Sequence, residues 1–424
     1  DVAVEDVDGD GRHDVVASCA AKEDAAPCII VVYLQSEQGG LPKLPSITLT
    51  LPVATGVVMF VQMNGEGPRE LVAAHSTGAA VHACRDGALA EQSVLEFNSL
   101  FPSAVKEPLI LDYGLDLDGE GSEEWLLPVS RGFQLWRGAQ PVAELRADVS
   151  SQIRRGSSVS VSHVLPDFAA FSLPDQQNKA LAFLSRQYLD FAYGDDWSES
   201  RRLKLPHEED SEWNWSAQME DLNGDELPDL VVTESTGSVN VKMRVSVYHA
   251  TAPFTYPAKP GTVLESAGAL ASPYLQDVNG DGKNDLIMIK IPFSVKTFVN
   301  YFLRQRVNVQ LEAYLSSSTG IESQASLSQS ITVSAPDDRE QIAYAMGDFN
   351  GDSRLDLALG SGEDALEVHL GGETRFVEPK PWLQLNLPSL GLARPYDIDG
   401  NAAEDLIIFH PDGQKSTRIE VVLF

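Results

Sequence analysis

The sequence is short of positive charge: 31 Lys and Arg stand against 62 Asp and Glu, a formal net charge of −31. Phosphate backbones and anionic headgroups are bound by Lys and Arg that displace condensed counterions, so this balance argues against nucleic-acid and membrane-surface partners. Long apolar runs are missing too. None approaches the roughly 18 to 20 residues that cross a bilayer, and no membrane insertion by this chain is expected. The eight histidines are scattered, with no H-E-x-x-H, no G-x-S-x-G and no P-loop. The first residues from Asp1 carry neither a charged n-region nor an apolar h-region, so any export signal or lipid anchor is expected outside this stretch.

Cysteine is scarce, with three in 424 residues. Cys19 and Cys28 bracket the polar stretch AAKEDAAP, with VVAS before it and IIVVY after it. That pattern predicts a hairpin whose ends a cross-strand disulfide closes, as befits a chain outside the cytoplasm; two unrelated small core residues are the alternative. Cys84 then reads as a buried thiol rather than a nucleophile.

What the sequence does have is a repeat. The nine-residue pattern D-x-[DN]-G-[DEN]-x-x-x-[DE] occurs as DVDGDGRHD, DLDGEGSEE, DLNGDELPD, DVNGDGKND, DFNGDSRLD and DIDGNAAED, starting at residues 6, 116, 221, 277, 348 and 397; a decayed copy, QMNGEGPRE, starts at 62. Successive starts lie 56, 54, 105, 56, 71 and 49 residues apart. The gap of 105 is two periods, which predicts a unit without its motif near residues 165 to 215.

Each copy is followed by an apolar, often β-branched run: DVVAS, EWLLPV, DLVVT, DLIMI, DLALG, DLIIF. Alternating segments come next, such as CIIVVYL or VNVQLEAYL, and then a third set such as SITLTL or WLQLNL. With the short stretch before the motif, this makes four antiparallel strands per period, the count of a propeller blade. The period-two alternation excludes helical repeats. The expected fold is an all-β, single β-propeller over 1–424, of eight blades of about 53 residues, with seven as the alternative. Approximate blades are 1–53, 54–107, 108–162, 163–212, 213–268, 269–338, 339–389 and 390–424. The last blade lacks a fourth strand in sequence, so it is expected to be three-stranded or completed by a strand from outside this chain, since RIEVVLF would otherwise leave an open edge.

The nine-residue motif offers oxygen at positions one, three, five and nine and a backbone carbonyl at seven, as a hard divalent cation requires. Gly at position four marks a backbone turn that a Cβ would obstruct. Crowding carboxylates without a cation costs like-charge repulsion. Calcium suits this flexible all-oxygen loop better than magnesium, and zinc is excluded because no His or Cys joins it. For a single copy, an Asp-Gly turn in a solvated acidic hairpin is the competing reading; six copies in register argue against it. An EF-hand loop runs to position twelve beside helices, whereas here position nine leads into a strand.

These loops and their setting resemble the FG-GAP/VCBS repeat, the calcium-loop blade of integrin α-subunit-like propellers, over essentially the whole chain. The resemblance implies Ca²⁺ in loops joining the first and second strands of the blades. It places Asp6, Asp8, Asp10, the Arg12 carbonyl and Asp14 around one ion. Matching sets are Asp221, Asn223, Asp225, Leu227 and Asp229; Asp277, Asn279, Asp281, Lys283 and Asp285; Asp348, Asn350, Asp352, Arg354 and Asp356; and Asp397, Asp399, Asn401, Ala403 and Asp405. Asp116, Asp118, Glu120 and Glu124 carry longer acids at two positions and form a doubtful sixth site. Gln62, Asn64, Glu66 and Glu70 lack the first Asp and are not expected to hold metal.

Other features stay open at this point. GDGKND around Lys283 superficially resembles a phosphate loop but lacks K-[ST] and a helix. Trp213 and Trp215 could stack on a sugar or pack between blades. Residues 294–315, with Lys296, Arg304 and Arg306, form either an extended hairpin packed on the propeller or a partner-binding projection. The expected function is a non-enzymatic, calcium-stabilised binding or scaffold module, adhesion-like, of an exported protein that is periplasmic, cell-surface or extracellular. Its partner would be a protein or glycan at a propeller face or at residues 294–315. The alternative is a polysaccharide lyase or glycoside hydrolase with its site at the propeller channel, which would need clustered acid/base groups and several Arg or Lys.

Overall fold

The computed structural model describes the chain apart from residues 20–26, 104, 106, 156–158, 175, 206–212, 238–240, 268–271, 292–305, 335–343, 362–364, 388–390 and 411–417. The described residues form strands, turns and loops, with no helix among them. None is therefore long and apolar enough to cross a membrane.

The nine-residue motif acts as a ruler between strands. In seven units it starts on the residue after the first strand, and its ninth residue opens the second: Val2–Glu5 to Asp14–Cys19, Val57–Val61 to Glu70–His75, Gly114–Leu115 to Glu124–Val129, Asn214–Glu220 to Asp229–Thr236, Tyr274–Gln276 to Asp285–Lys290, Tyr344–Gly347 to Asp356–Ser361, and Leu392–Tyr396 to Asp405–Phe409. The unit expected without its motif keeps the same spacing, Asp167–Phe171 leading through SLPDQQNK into Ala180–Leu184.

Eight antiparallel blade sheets result, each with its strands in sequence order. The chain is an all-β fold of the propeller class with eight blades rather than seven. It comprises two compact units, Asp1–Leu205 with Ile398–Gly400, and Pro206–Asp397 with Asn401–Phe424. In the first unit the second sheet gains a fifth strand, Leu109–Ile110, parallel to Val57–Val61. A separate hairpin, Ser150–Arg155 with Val159–Val164, precedes the fourth blade. In the second unit the last sheet has three strands among the described residues, ending in Ile419–Val422.

Second strands are buried on both faces, which is why they read as continuous apolar runs rather than alternating ones. All five residues of Asp405–Phe409 and the first six of Asp229–Thr236 are buried. The core lies between neighbouring sheets within each unit. Val16, Ile30 and Val32 of the first blade pack with Val58, Phe60 and Leu71 of the second. Leu126, Phe133 and Leu135 of the third pack with Leu181 and Phe183 of the fourth. In the second unit Ile287 and Leu311 meet Leu357 and Phe376.

Two sequence readings need correction or restriction. The proposed Cys19–Cys28 disulfide is absent because the hairpin register is one residue off: Cys19 lies opposite Ile29. Successive strand residues face opposite sides, so Cys19 is exposed while Cys28 is buried, and all three cysteines are free thiols. Cys84 packs, partly buried, against the first–second blade core. Of residues 294–315, Lys296 and Arg304 lie outside the described residues, whereas Arg306–Tyr314 is a regular strand between Asp285–Lys290 and Leu327–Ser334.

The motif glycine adopts the left-handed backbone that its reading required, with φ between 72° and 78° at Gly9, Gly65, Gly119, Gly224, Gly280, Gly351 and Gly400. At Gly9 a Cβ would also meet Pro68 of the next blade's loop at 2.6 Å, while at Gly119 it would meet nothing within 4 Å. Gly119→Ala should therefore cost about 1–2 kcal/mol of backbone strain, and Gly9→Ala roughly 1–3 kcal/mol more for the clash. Urea unfolding of the two variants measures the difference, and equal losses would contradict the packing of the first two blades.

Candidate metal-binding loops

Each loop is built from its first and ninth residues. The first Asp turns back on its own loop: Asp6 Oδ1 accepts Gly9 N at 2.8 Å and Asp10 N at 3.1 Å, and Oδ2 accepts Gly11 N at 2.9 Å. Asp221, Asp277 and Asp348 repeat these bonds, with position-six N–H groups at 2.7, 2.7 and 2.6 Å. Such a carboxylate cradling successive N–H groups is the Asx-turn device.

The ninth residue ties three segments together. Asp14, Asp229, Asp285, Asp356, Asp405 and Glu124 are all fully buried. Val7 and Gln35 donate backbone N–H to the two oxygens of Asp14 at 3.0 and 2.8 Å. Val278 and Ser316 do so to Asp285 at 3.0 and 2.7 Å, and Phe349 and Gly371 to Asp356 at 2.9 and 2.6 Å. One donor is loop position two and the other follows the third strand, so one carboxylate fixes loop, second strand and third strand. Burial, the largest influence, pushes the carboxyls of Asp14, Asp285 and Asp356 up to about 6 against the pull of those donors.

Carboxylate oxygens of Asp6, Asp8 and Asp14 lie within 4.8 Å of one another, as do those of Asp397, Asp399 and Asp405. Where position three is Asn, its Oδ1 accepts the position-five N–H and its amide reaches the position-five carboxylate, as Asn223 does to Asp225, Asn279 to Asp281 and Asn350 to Asp352. Position-five oxygens in turn accept the N–H of Arg12, Leu227, Lys283, Arg354 and Ala403.

Residues 221–288 match the FG-GAP-like repeat family. The match spans the loops at 221 and 277 and the strands around them, and the other blades repeat the same loop between the same strands. The chain is an eight-bladed β-propeller whose residues 221–288 match the FG-GAP-like repeat. No curated protein matches this sequence. Among solved structures, the Photorhabdus luminescens Tc holotoxin pore is similar at 15% identity and a TM-score of 0.38, covering 94% of this chain and 16% of that one. The V. cholerae biofilm matrix protein Bap1 is similar at 14% identity and a TM-score of 0.31, covering 99% and 76%. The propeller thus spans a small part of the toxin chain.

A hard divalent cation fits the all-oxygen sets at 6–14 and 397–405, where three carboxylates converge. The sets at 221–229, 277–285 and 348–356 offer the same chemistry with an Asn oxygen at position three. Within the first set Asp10 is turned aside to the Arg12 guanidinium, leaving positions one, three and nine as the converging donors. At 221–229, His249 Nδ1 lies 2.7 Å from Asp229 Oδ2. The decayed loop is braced by its own amides: Gln62 Nε2 donates to Gly67 O at 2.8 Å, and the Asn64 amide donates to Glu70. The fourth loop, which lacks the motif acids at positions one, three, five and nine, uses amides, Asn178 Nδ2 donating to Asp195 O and Gln176 Oε1 accepting Gly194 N.

Two features of the propeller escaped the sequence reading. Position six is also left-handed, and Glu226, Ser353 and Ala402 hold φ of 64°, 65° and 72° where the other copies have Gly. Position eight clasps neighbouring blades. Its N–H reaches the preceding loop in Arg69 to Asp6 O, Glu123 to Gln62 O, Lys179 to Leu117 O, Leu355 to Val278 O and Glu404 to Asp348 O. Its side chain often follows: Arg69 bridges Glu5 and Glu123, and burial pushes Glu5 up to about 7 against Arg69's pull. The regular spacing of position eight was visible, but its varied residue types concealed a shared role. Trp213 is covered by the Arg244 guanidinium, 5.1 Å from its ring centre, instead of lying open as a platform.

Asp356→Ala orphans two backbone donors, at about 1–3 kcal/mol for each buried group. Measured in chelator, it should therefore lose roughly 2–6 kcal/mol, whereas Asp352→Ala, at an exposed position, should stay within about 1 kcal/mol. Equal losses in urea titrations would contradict the structural role of position nine.

Proposed function

We propose that the loops at 6–14, 221–229, 277–285, 348–356 and 397–405 bind Ca²⁺, and that the chain is a non-enzymatic binding or scaffold module of an exported or cell-surface protein. The observation that carries this is the convergence of Asp6, Asp8 and Asp14 within 4.8 Å of one another, repeated by Asp397, Asp399 and Asp405, with matching Asp and Asn residues at the same loop positions of three other blades. Calcium would neutralise buried and crowded carboxylates that hold each blade's loop to its strands. The ligand would be a protein or glycan on a loop face, and the open edge of Ile419–Val422 would take an added strand.

A second reading, an enzyme on acidic polysaccharide, is favoured by one observation. An open cavity of about 780 Å³ in the first unit is lined by Arg131, Arg146 and Arg202. Arg202 is held by Asp190 at 2.5 and 2.7 Å and stacks on Tyr188. Arg131 and Arg146 remain for an anionic ligand, and the carboxylates Glu144 and Asp148 line the same cavity. Release of unsaturated or reducing ends from acidic polysaccharides would favour this second reading over a binding module.

Chelation should lower the melting temperature, since each site held at a hundredfold excess of calcium over its Kd contributes about 2.7 kcal/mol to the folded state. A chelator-free preparation with no bound calcium, and a melting curve unchanged by chelator, would defeat the proposal.

A further inference from the structure

The third loop has the acids of a metal site but a different occupant. Arg137 ends the third strand of that blade, Gly132–Arg137, directly opposite Glu124 in the sheet register. Its Nε donates to Glu124 Oε1 at 2.7 Å, and its Nη2 lies 2.6 Å from the same oxygen and 2.7 Å from Asp118 Oδ2. The guanidinium therefore sits between positions three and nine of the loop, the pair that converges with position one at 6–14 and 397–405. Glu124 is fully buried and the Asp118 side chain is 6% exposed, so the charge they meet there is the one Arg137 supplies. Backbone engages the acceptors of positions one and nine as well, with Asp116 taking Gly119 N at 2.7 Å and Gly121 N at 3.3 Å, and Glu124 Oε2 taking Leu117 N at 3.2 Å.

The register explains why this happens in one blade. Following each strand pairing one residue on, the position opposite the ninth loop residue is Leu34, Leu315, Leu370 and Leu423 in the blades of the loops at 6, 277, 348 and 397, and His249, with Nδ1 2.7 Å from Asp229, in the blade of the loop at 221; only the loop at 116 faces an arginine. A leucine leaves the acids to an external cation. An arginine brings a fixed planar fork that matches two carboxylates, and the longer Glu124 reaches it. The residues at 116–124 thus do not fit a metal ion. We propose that Arg137 is the built-in cation of the third loop, which holds that blade closed without calcium and excludes it. This inference rests on calcium binding at the other loops.

Hydrogen exchange on the wild-type chain, with and without chelator, tests it first. Chelation should speed exchange several-fold in peptides covering 6–14, 277–285 and 348–356 and leave 116–124 unchanged. Deprotection of 116–124 to the same extent would overturn the proposal. Arg137→Gln should then bind one more calcium per chain than the wild type, by metal analysis and native mass, while Arg137→Lys binds the wild-type number. A folded Arg137→Gln with no added calcium would also overturn it. If no loop responds to chelator, the calcium reading fails instead. The Arg137 assignment is then decided by melting in chelator: Arg137→Gln well below both wild type and Arg137→Lys supports it, and equal melting of all three refutes it. A failure of Arg137→Gln to fold in chelator, with recovery in calcium, supports it as well.

Discussion

The structure depends on a buried acid at the start of the second strand of most blades. An ionised carboxylate removed from water is expensive unless hydrogen bonds and counter-charge surround it. Here it accepts two backbone N–H groups that would otherwise be unpaired at a tight loop and at the end of the third strand. Blade geometry follows from that arrangement. The loop cannot lengthen without moving the acid from its donors, which accounts for nine residues in every unit, including the fourth, where Gln and Asn side chains take over. On the proposed reading, what differs between blades is the source of positive charge: an external divalent ion, the Arg137 guanidinium, or none where amides take over.

This division also places the chain's excess acid. Much of it sits in loops that concentrate several carboxylates within nine residues, so the net charge of −31 overstates what the protein presents once its loops are neutralised. The clasp at position eight links this chemistry to packing. Arg69, Glu123 and Glu404 come one residue before the buried acid and reach the preceding blade's loop, so loop and junction between sheets are built from adjacent residues. The apolar layers beneath, such as Val58 and Phe60 against Ile30 and Val32, then pack strands already held in register.

The period, the strand count and the silent fourth unit were legible because a nine-residue pattern and continuous apolar runs are one-dimensional signals. The glycine at position four was legible for the same reason. Side-chain partners across strands were not. Cys19 and Cys28 looked paired because they flank a turn, but a shift of one residue puts them on opposite faces. Arg137 lies thirteen residues from Glu124, and only the strand register reveals that they meet. Its loop carries two glutamates in sequence, and the longer acid at position nine is the one that reaches this arginine. The left-handed Glu226, Ser353 and Ala402 gave no signal, since their types belong to no turn rule and the loop imposes their backbone.

The account stands most directly on where calcium resides. A crystal of the wild-type chain grown in calcium, with an anomalous difference map at long wavelength, locates each ion without mutation. Peaks are expected in the loops at 6–14, 221–229, 277–285, 348–356 and 397–405, and none at 62–70, 116–124 or 172–180. A peak seated between Asp118 and Glu124, or empty loops at 6–14 and 397–405, would contradict it.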